Sequence, residues 1–163
     1  MSILAAEIAA SLEKESRKTL QFFNELEEAD WGVQVYSGEG GWNVHHLLAH
    51  FTDVEGSIPR LIRGILDGGP GVPEDFDIDR WNARYTTEMA ANDRQTLLAE
   101  FARRRAATVE LARNITDADL ETQGRHPFLG PSQVKDMLKL MPLHLQIHMR
   151  DIRRALRAGR GSL

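Results

Sequence analysis

The chain contains no cysteine, which removes disulfides, thiolate zinc sites and cysteine nucleophiles together. Any metal it holds must sit mainly on nitrogen and oxygen ligands. No apolar run approaches the roughly 18 residues of a membrane helix. The opening MSILAAEIAASLEKES lacks a basic start followed by an apolar stretch, so no secretory signal is expected. A surplus of positive charge is missing too. The net charge of −4 disfavours non-specific nucleic-acid binding, which depends on neutralising phosphates. There is no GxxxxGKS/T loop, no GxGxxG after a strand and no nucleophile elbow, so nucleotide cofactors and serine hydrolysis have no support. The remaining composition, 42% hydrophobic and 27% charged over 163 residues, fits one globular domain over residues 1–163. A soluble, cytoplasmic protein is expected.

Helical periodicity dominates, and no segment alternates convincingly at period two. A first helix is predicted from Ile3 to Glu28, with Leu4, Ile8, Leu12, Thr19, Phe22 and Leu26 as its stripe. A loop from Ala29 to Gly41 precedes a second helix, capped by Asn43 and running to Asp67. Pro59 lies inside it and predicts a kink near Gly56. After the loop DGGPGVPEDF, a shorter helix begins about Asp77 and takes in Trp81 and Tyr85. Asn92 or Asp93 caps a long helix with the stripe Leu97, Phe101, Thr108, Leu111 and Ile115. Thr116 to Gly130 reads as a connection. The last helix is predicted to start after Pro131 and to end near Ala158, before Gly159 and Gly161. The pattern predicts an all-α fold: a four-helix bundle with one additional short helix.

Three of the six histidines carry the chemistry. His144 and His148 are four residues apart, which on a helix places both on one face with Cβ atoms about 5–6 Å apart. His50, on another helix, is a candidate third ligand. Three neutral imidazoles around a divalent ion leave one position open for water or substrate, the layout of a catalytic site. Against this, a lone helical histidine is more often a hydrogen-bonded, partly buried residue than a ligand. Chance alone supplies about 0.2 pairs at this spacing among six histidines.

The segments GGWNVHHLLAHFTDVE and HPFLGPSQVKDMLKLMPLHLQIH resemble, in order and spacing, two segments of the DinB/YfiT-like superfamily of metalloenzymes. The likeness spans roughly residues 31 to 157. It implies a four-helix bundle, usually homodimeric, that holds one divalent ion. It also implies that His50, His144 and His148 are the ligands. Three positions depart from the family pattern. His46 stands where an acidic residue is common, one turn before His50; it is a fourth ligand, a proton shuttle or, the favoured reading, a rim residue. Pro142, two residues before His144, removes a helix hydrogen bond and would re-aim His144 or carry the pair away from His50. Asp151 replaces a common glutamine and would either orient an imidazole or pair with Arg154.

The remaining candidates are weaker. His126 reads as a surface loop residue, or as an acid–base group if its loop borders the site. Asp53 shares the face of His50 and is a candidate supporting or proton-handling carboxylate. Trp42 and Trp81 read as core or pocket wall. Arg103 to Arg105 read as a solvated face. Arg150, Arg153, Arg154, Arg157 and Arg160 read as cations complementing a helix C-terminus, or as an anion site.

The expected function is a metal-dependent enzyme acting on a small molecule by hydrolysis or thiol transfer. Its ion would be a divalent transition metal such as Zn, Ni, Fe or Co. His50, His144 and His148 are the expected ligands, with His46, His126 or Asp53 handling protons. The resemblance adds a low-molecular-weight thiol as possible partner. The alternatives are a non-catalytic dimeric bundle, a stress or ligand-binding protein with a vestigial metal site, and a partner-binding module built on the amphipathic helices.

Overall fold

The computed structural model describes residues 2–38 and 40–161, with side chains as far as residue 159. Helix α1 (Ile3–Asn24) is followed by a short 3-10 turn (Glu28–Gly32), then α2 (Val44–Leu66), α3 (Ile78–Ala90), α4 (Arg94–Asn114), the one-turn α5 (Asp117–Leu120), the strands β1 (Gln123–His126) and β2 (Gly130–Gln133), and α6 (Val134–Gly161). The four long helices form the bundle, and α3 is the additional helix, packed on α2. α1 packs against α4 and α6, and α2 packs against the same two. The order around the bundle is therefore α1, α4, α2, α6, with α1 and α2 on a diagonal. That arrangement puts α2 directly beside α6, the two helices that carry the histidines of interest. Among the described residues, no helix is long and apolar enough to cross a membrane.

Local chemistry explains the helix starts. The side chains of Ser2, Asn43, Asp77, Asp93 and Thr116 each accept from a backbone N–H in the first turn of the helix that follows. Asn43 caps α2 as expected, and of the two candidates Asn92 and Asp93 it is Asp93 that caps α4. The structure corrects three boundaries, those of α1 and α6. α1 stops at Asn24, and Glu28 lies in the separate 3-10 turn, where Glu27 and Asp30 make their own capping box. α2 keeps the expected bounds, Val44–Leu66 between the caps Asn43 and Asp67, with Pro59 inside it. α6 begins at Val134 because Gly130–Gln133 pair as a strand, and it continues through Gly159 to Gly161. The connection from Thr116 to Gly130 is not featureless: it contains α5, β1 and the turn into β2.

The hairpin is antiparallel, with Gln123 opposite Gln133 and His126 opposite Gly130. Three residues, Pro127 to Leu129, join the strands, and Gly130 takes the left-handed φ of 69° that such a loop requires. The other edge of β1 is covered by the loop after α2: Val72 donates to the Arg125 carbonyl and Arg125 donates to that of Pro70, both at 2.9 Å. Gly71 crosses so close that a Cβ there would lie 2.3 Å from the Arg125 oxygen, so only glycine fits.

Two apolar clusters fill the bundle. One gathers Ile8, Leu12, Ile62, Ile65, Val109 and Leu138. The other gathers Phe23, Trp31, Leu47, Phe51, Phe101 and Ile152. Phe23, not the expected Phe22, is the buried aromatic of α1. In the interior, Arg105 pairs with Glu55 at 2.5 Å, both side chains 2% exposed. Arg105 also donates to the Leu12 carbonyl at 3.0 Å, linking α4, α2 and α1. The expected solvated face of Arg103 to Arg105 thus holds only for Arg103, because Arg104 is half-buried and donates to the Thr52 carbonyl of α2 at 2.8 Å. Successive helix residues point about 100° apart, and only Arg105 falls in the inward stripe with Phe101 and Thr108.

Candidate metal centre

His50 comes from the buried face of α2, and His144 and His148 come from successive turns of α6. Their Nε2 atoms converge: His50 to His144 is 3.2 Å and His148 to His144 is 3.0 Å. One ligand atom from each of the three lies within 4.8 Å of the others, a grouping with the dimensions of a metal site. Nitrogens held by one ion at about 2.0–2.1 Å lie about 3 Å apart, so the two spacings to His144 fit. Pro142 does not disturb this, since α6 is continuous and the pair stays against His50.

Protonation suits ligation. Burial, then the neighbouring imidazoles of His144 and His148, holds His50 well below the usual histidine range. Burial, with lesser contributions from His148 and His126, lowers His144 to about 4. Burial lowers His148 also, against the opposing pull of Asp151. At neutral pH all three are uncharged and present lone pairs. His50 Nδ1 is buried without a hydrogen-bond partner. Leaving such a group unpaired costs about 1–3 kcal/mol, and leucine would fill much of the space without that cost. The imidazole is accounted for by its other nitrogen.

Two residues between the 3-10 turn and α2 brace these ligands. The Trp42 ring lies 4.8 Å from that of His50 at 37°. The Tyr36 hydroxyl is 2.7 Å from His148 Nδ1 and 2.7 Å from Asp151 Oδ2. Sequence reasoning missed Tyr36, because a tyrosine in a glycine-rich loop has no periodicity to mark it. Asp151 therefore reaches His148 through Tyr36, and Arg150, 3.8 Å away, is its cationic neighbour rather than Arg154.

The other candidates divide. His46 does not join the converging group: its backbone N–H donates to Asn43 Oδ1 at 2.9 Å and its Nδ1 accepts from the Asn43 N–H at 3.2 Å, closing a capping box. Asp53 is buried, but its carboxylate accepts from Trp81 Nε1 at 3.1 Å. Burial raises its pKa, opposed by the Trp81 hydrogen bond and by Arg104 and Arg60. His126 is not a surface residue. It is 5% exposed, and its Nδ1 accepts from the backbone N–H groups of Phe128 and Leu129 at 3.0 and 3.1 Å. Burial lowers it to about 4. Arg153 lies over the Phe22 ring at 5.1 Å. The side chain of Arg160 lies outside the described residues.

A cavity of about 600 Å³ opens onto His50, His144 and His148. Its walls are mostly apolar, with Trp42, Phe76, Trp81 and Phe128 as the aromatic members, and Asp53 and His126 line it as well.

The family model of the DinB superfamily matches residues 11–152. The chain belongs to the DinB superfamily. None of the curated proteins matches this superfamily member. Among solved structures it is similar to YfiT from Bacillus subtilis, described as a probable metal-dependent hydrolase with an unusual four-helix bundle topology. The two are 19% identical with a TM-score of 0.76, over 97% of this chain and 89% of that one. It is also similar to the mycothiol-dependent maleylpyruvate isomerase, at 13% identity and a TM-score of 0.72. That match covers 93% of this DinB-superfamily chain and 63% of the longer isomerase. At these identities the likeness establishes the fold.

Proposed function

We propose that this chain is a metal-dependent enzyme that acts on a small, largely apolar molecule by hydrolysis or by thiol transfer. One observation carries the reading: the three converging Nε2 atoms sit in the wall of a 600 Å³ cavity rather than sealed in the core. A site with three protein ligands and access from a cavity has the form of a catalytic centre. Bound there, a divalent transition metal such as Zn, Ni or Fe would supply Lewis-acid chemistry that activates a water or a thiol near neutral pH.

The chain's own groups define what surrounds that ion. His126 uses Nδ1 to accept from two backbone N–H groups, so in its neutral form the proton is on Nε2. It is thus a fixed donor at the cavity wall, suited to an acceptor oxygen of the substrate rather than to general-base work. Asp53, with its raised pKa and its Trp81 anchor, is the residue suited to exchange a proton there. Phe76 and Trp81, with the exposed Phe128 at the rim, would line the apolar part of the substrate.

YfiT's description supports the hydrolytic form, and the mycothiol dependence of the isomerase supports a low-molecular-weight thiol as co-substrate. With no cysteine in the chain, any reacting thiol comes from outside. The test is reconstitution with Zn, Ni and Fe(II) in turn, assayed with activated esters and with a small thiol plus an electrophile. Turnover should require metal and fall at least about 100-fold in His144→Ala. Turnover indifferent to metal and to His144 would contradict the proposal.

A further inference from the structure

We propose that Tyr36 and Asp151 form a one-way hydrogen-bond relay that fixes the tautomer of His148, making Tyr36 a positioning residue for the metal centre. The inference rests on the reading of His50, His144 and His148 as ligands. Its physical basis is a proton count. A tyrosine hydroxyl has one proton to donate. Tyr36 Oη stands 2.7 Å from two groups, His148 Nδ1 and Asp151 Oδ2. A carboxylate can only accept, so the hydroxyl proton goes to Asp151. The Tyr36 oxygen is then left to accept, and His148 Nδ1 must carry the proton. A neutral imidazole protonated on Nδ1 is bare on Nε2, the atom that lies 3.0 Å from His144 Nε2 at the metal position. Reversing either bond would put the proton on Nε2 and block ligation.

The relay is built into the fold rather than added to it. Tyr36 and Trp42 exchange backbone hydrogen bonds in both directions at 3.0 Å, which pins Tyr36 at the mouth of the loop before α2. Gly41 allows the closure, since a Cβ there would lie 2.5 Å from the Tyr36 carbonyl oxygen. The Tyr36 ring meets the His148 ring edge-on at 5.7 Å, so a phenylalanine would keep the packing and lose only the hydroxyl.

The test uses the whole chain and zinc alone as probe. Zinc affinity is measured by competition with a chromophoric chelator for wild type, Tyr36→Phe, Asp151→Leu and the double variant. Circular dichroism of each confirms folding. Losing the partner of a ligating histidine typically weakens binding about 10–100-fold, and that loss is expected in both single variants. In Asp151→Leu the freed hydroxyl can donate to Nδ1, so the tautomer itself should invert. The double variant should be no worse than the single ones, because the two residues act as one unit. Nitrogen-15 shifts of His148 in metal-free protein give the second readout: Nδ1 protonated in wild type, mixed in Tyr36→Phe. Zinc affinity within twofold of wild type in Tyr36→Phe, or an Nε2-protonated His148 in wild type, would overturn the relay. Failure of wild type to bind zinc would sink the metal reading instead, and the nitrogen shifts would still decide the relay.

Discussion

Tyr36 and Trp42 hydrogen-bond to each other through both backbone N–H groups at 3.0 Å, and their side chains settle on different histidines. Tyr36 reaches His148 on α6, while Trp42 lies against His50 on α2. One loop therefore braces both halves of the candidate centre, although the three histidines themselves come only from helices.

His50→Leu separates the site's function from its stability. Removing the unpartnered buried Nδ1 relieves a cost of about 1–3 kcal/mol. The metal-free variant should therefore melt no lower than metal-free wild type, while its bound metal is lost. Calorimetry with metal analysis checks both. A large drop in the melting temperature of the metal-free variant would show that His50 is held for packing.

The Glu55–Arg105 pair predicts the opposite behaviour. Each partner is buried against a single opposite charge, so Glu55→Ala should cost about 3–5 kcal/mol. Replacing both residues by apolar ones of similar size should recover much of that loss. Denaturant unfolding of the single and double variants gives the comparison.

The buried histidines set the acid limit of the metal-free fold. His126 and His144 have native pKa values near 4, well below the ordinary histidine value. Between pH 6.5 and 4 the unfolded chain therefore binds more protons than the native one. Stability from these groups is fully present above about pH 6.5 and is lost as pH falls toward 4. Chemical unfolding across that range should show a falling unfolding free energy, with a shallower fall in His126→Phe.

His126 should also behave unlike the ligands. His126→Ala removes a cavity-wall donor and orphans two backbone N–H groups of the hairpin loop. Metal content should stay at the wild-type level while catalysis falls about 10²-fold or more. Loss of metal in this variant would place His126 among the ligands.

The bundle and the His144/His148 pair were legible because both depend on short-range periodicity, whereas His50, 94 residues from His144, joined them through the family resemblance. The four-residue step from His144 to His148 fixes a shared face whatever the rest of the chain does, and Asn43 and Asp93 cap their helices by contacts three residues away. Pairings between distant segments were not legible. Each strand of the hairpin is four residues long, contains glycine, and in Gly130–Gln133 contains proline, so neither shows alternation. Its consequence, the burial of His126, was hidden with it. Arg105 had a readable signal that charge obscured: it sits four residues after Phe101 and three before Thr108. Tyr36 had no such signal, since its partners are 112 and 115 residues away.

The central claim is that His50, His144 and His148 hold one divalent ion together. Plasma mass spectrometry of untagged protein, beside His50→Ala and His144→Ala, tests it most directly. Close to one equivalent of a transition metal in wild type, absent from both variants, is the predicted result. No metal in wild type after incubation with Zn, Ni and Fe(II), or equal metal in the variants, would contradict it.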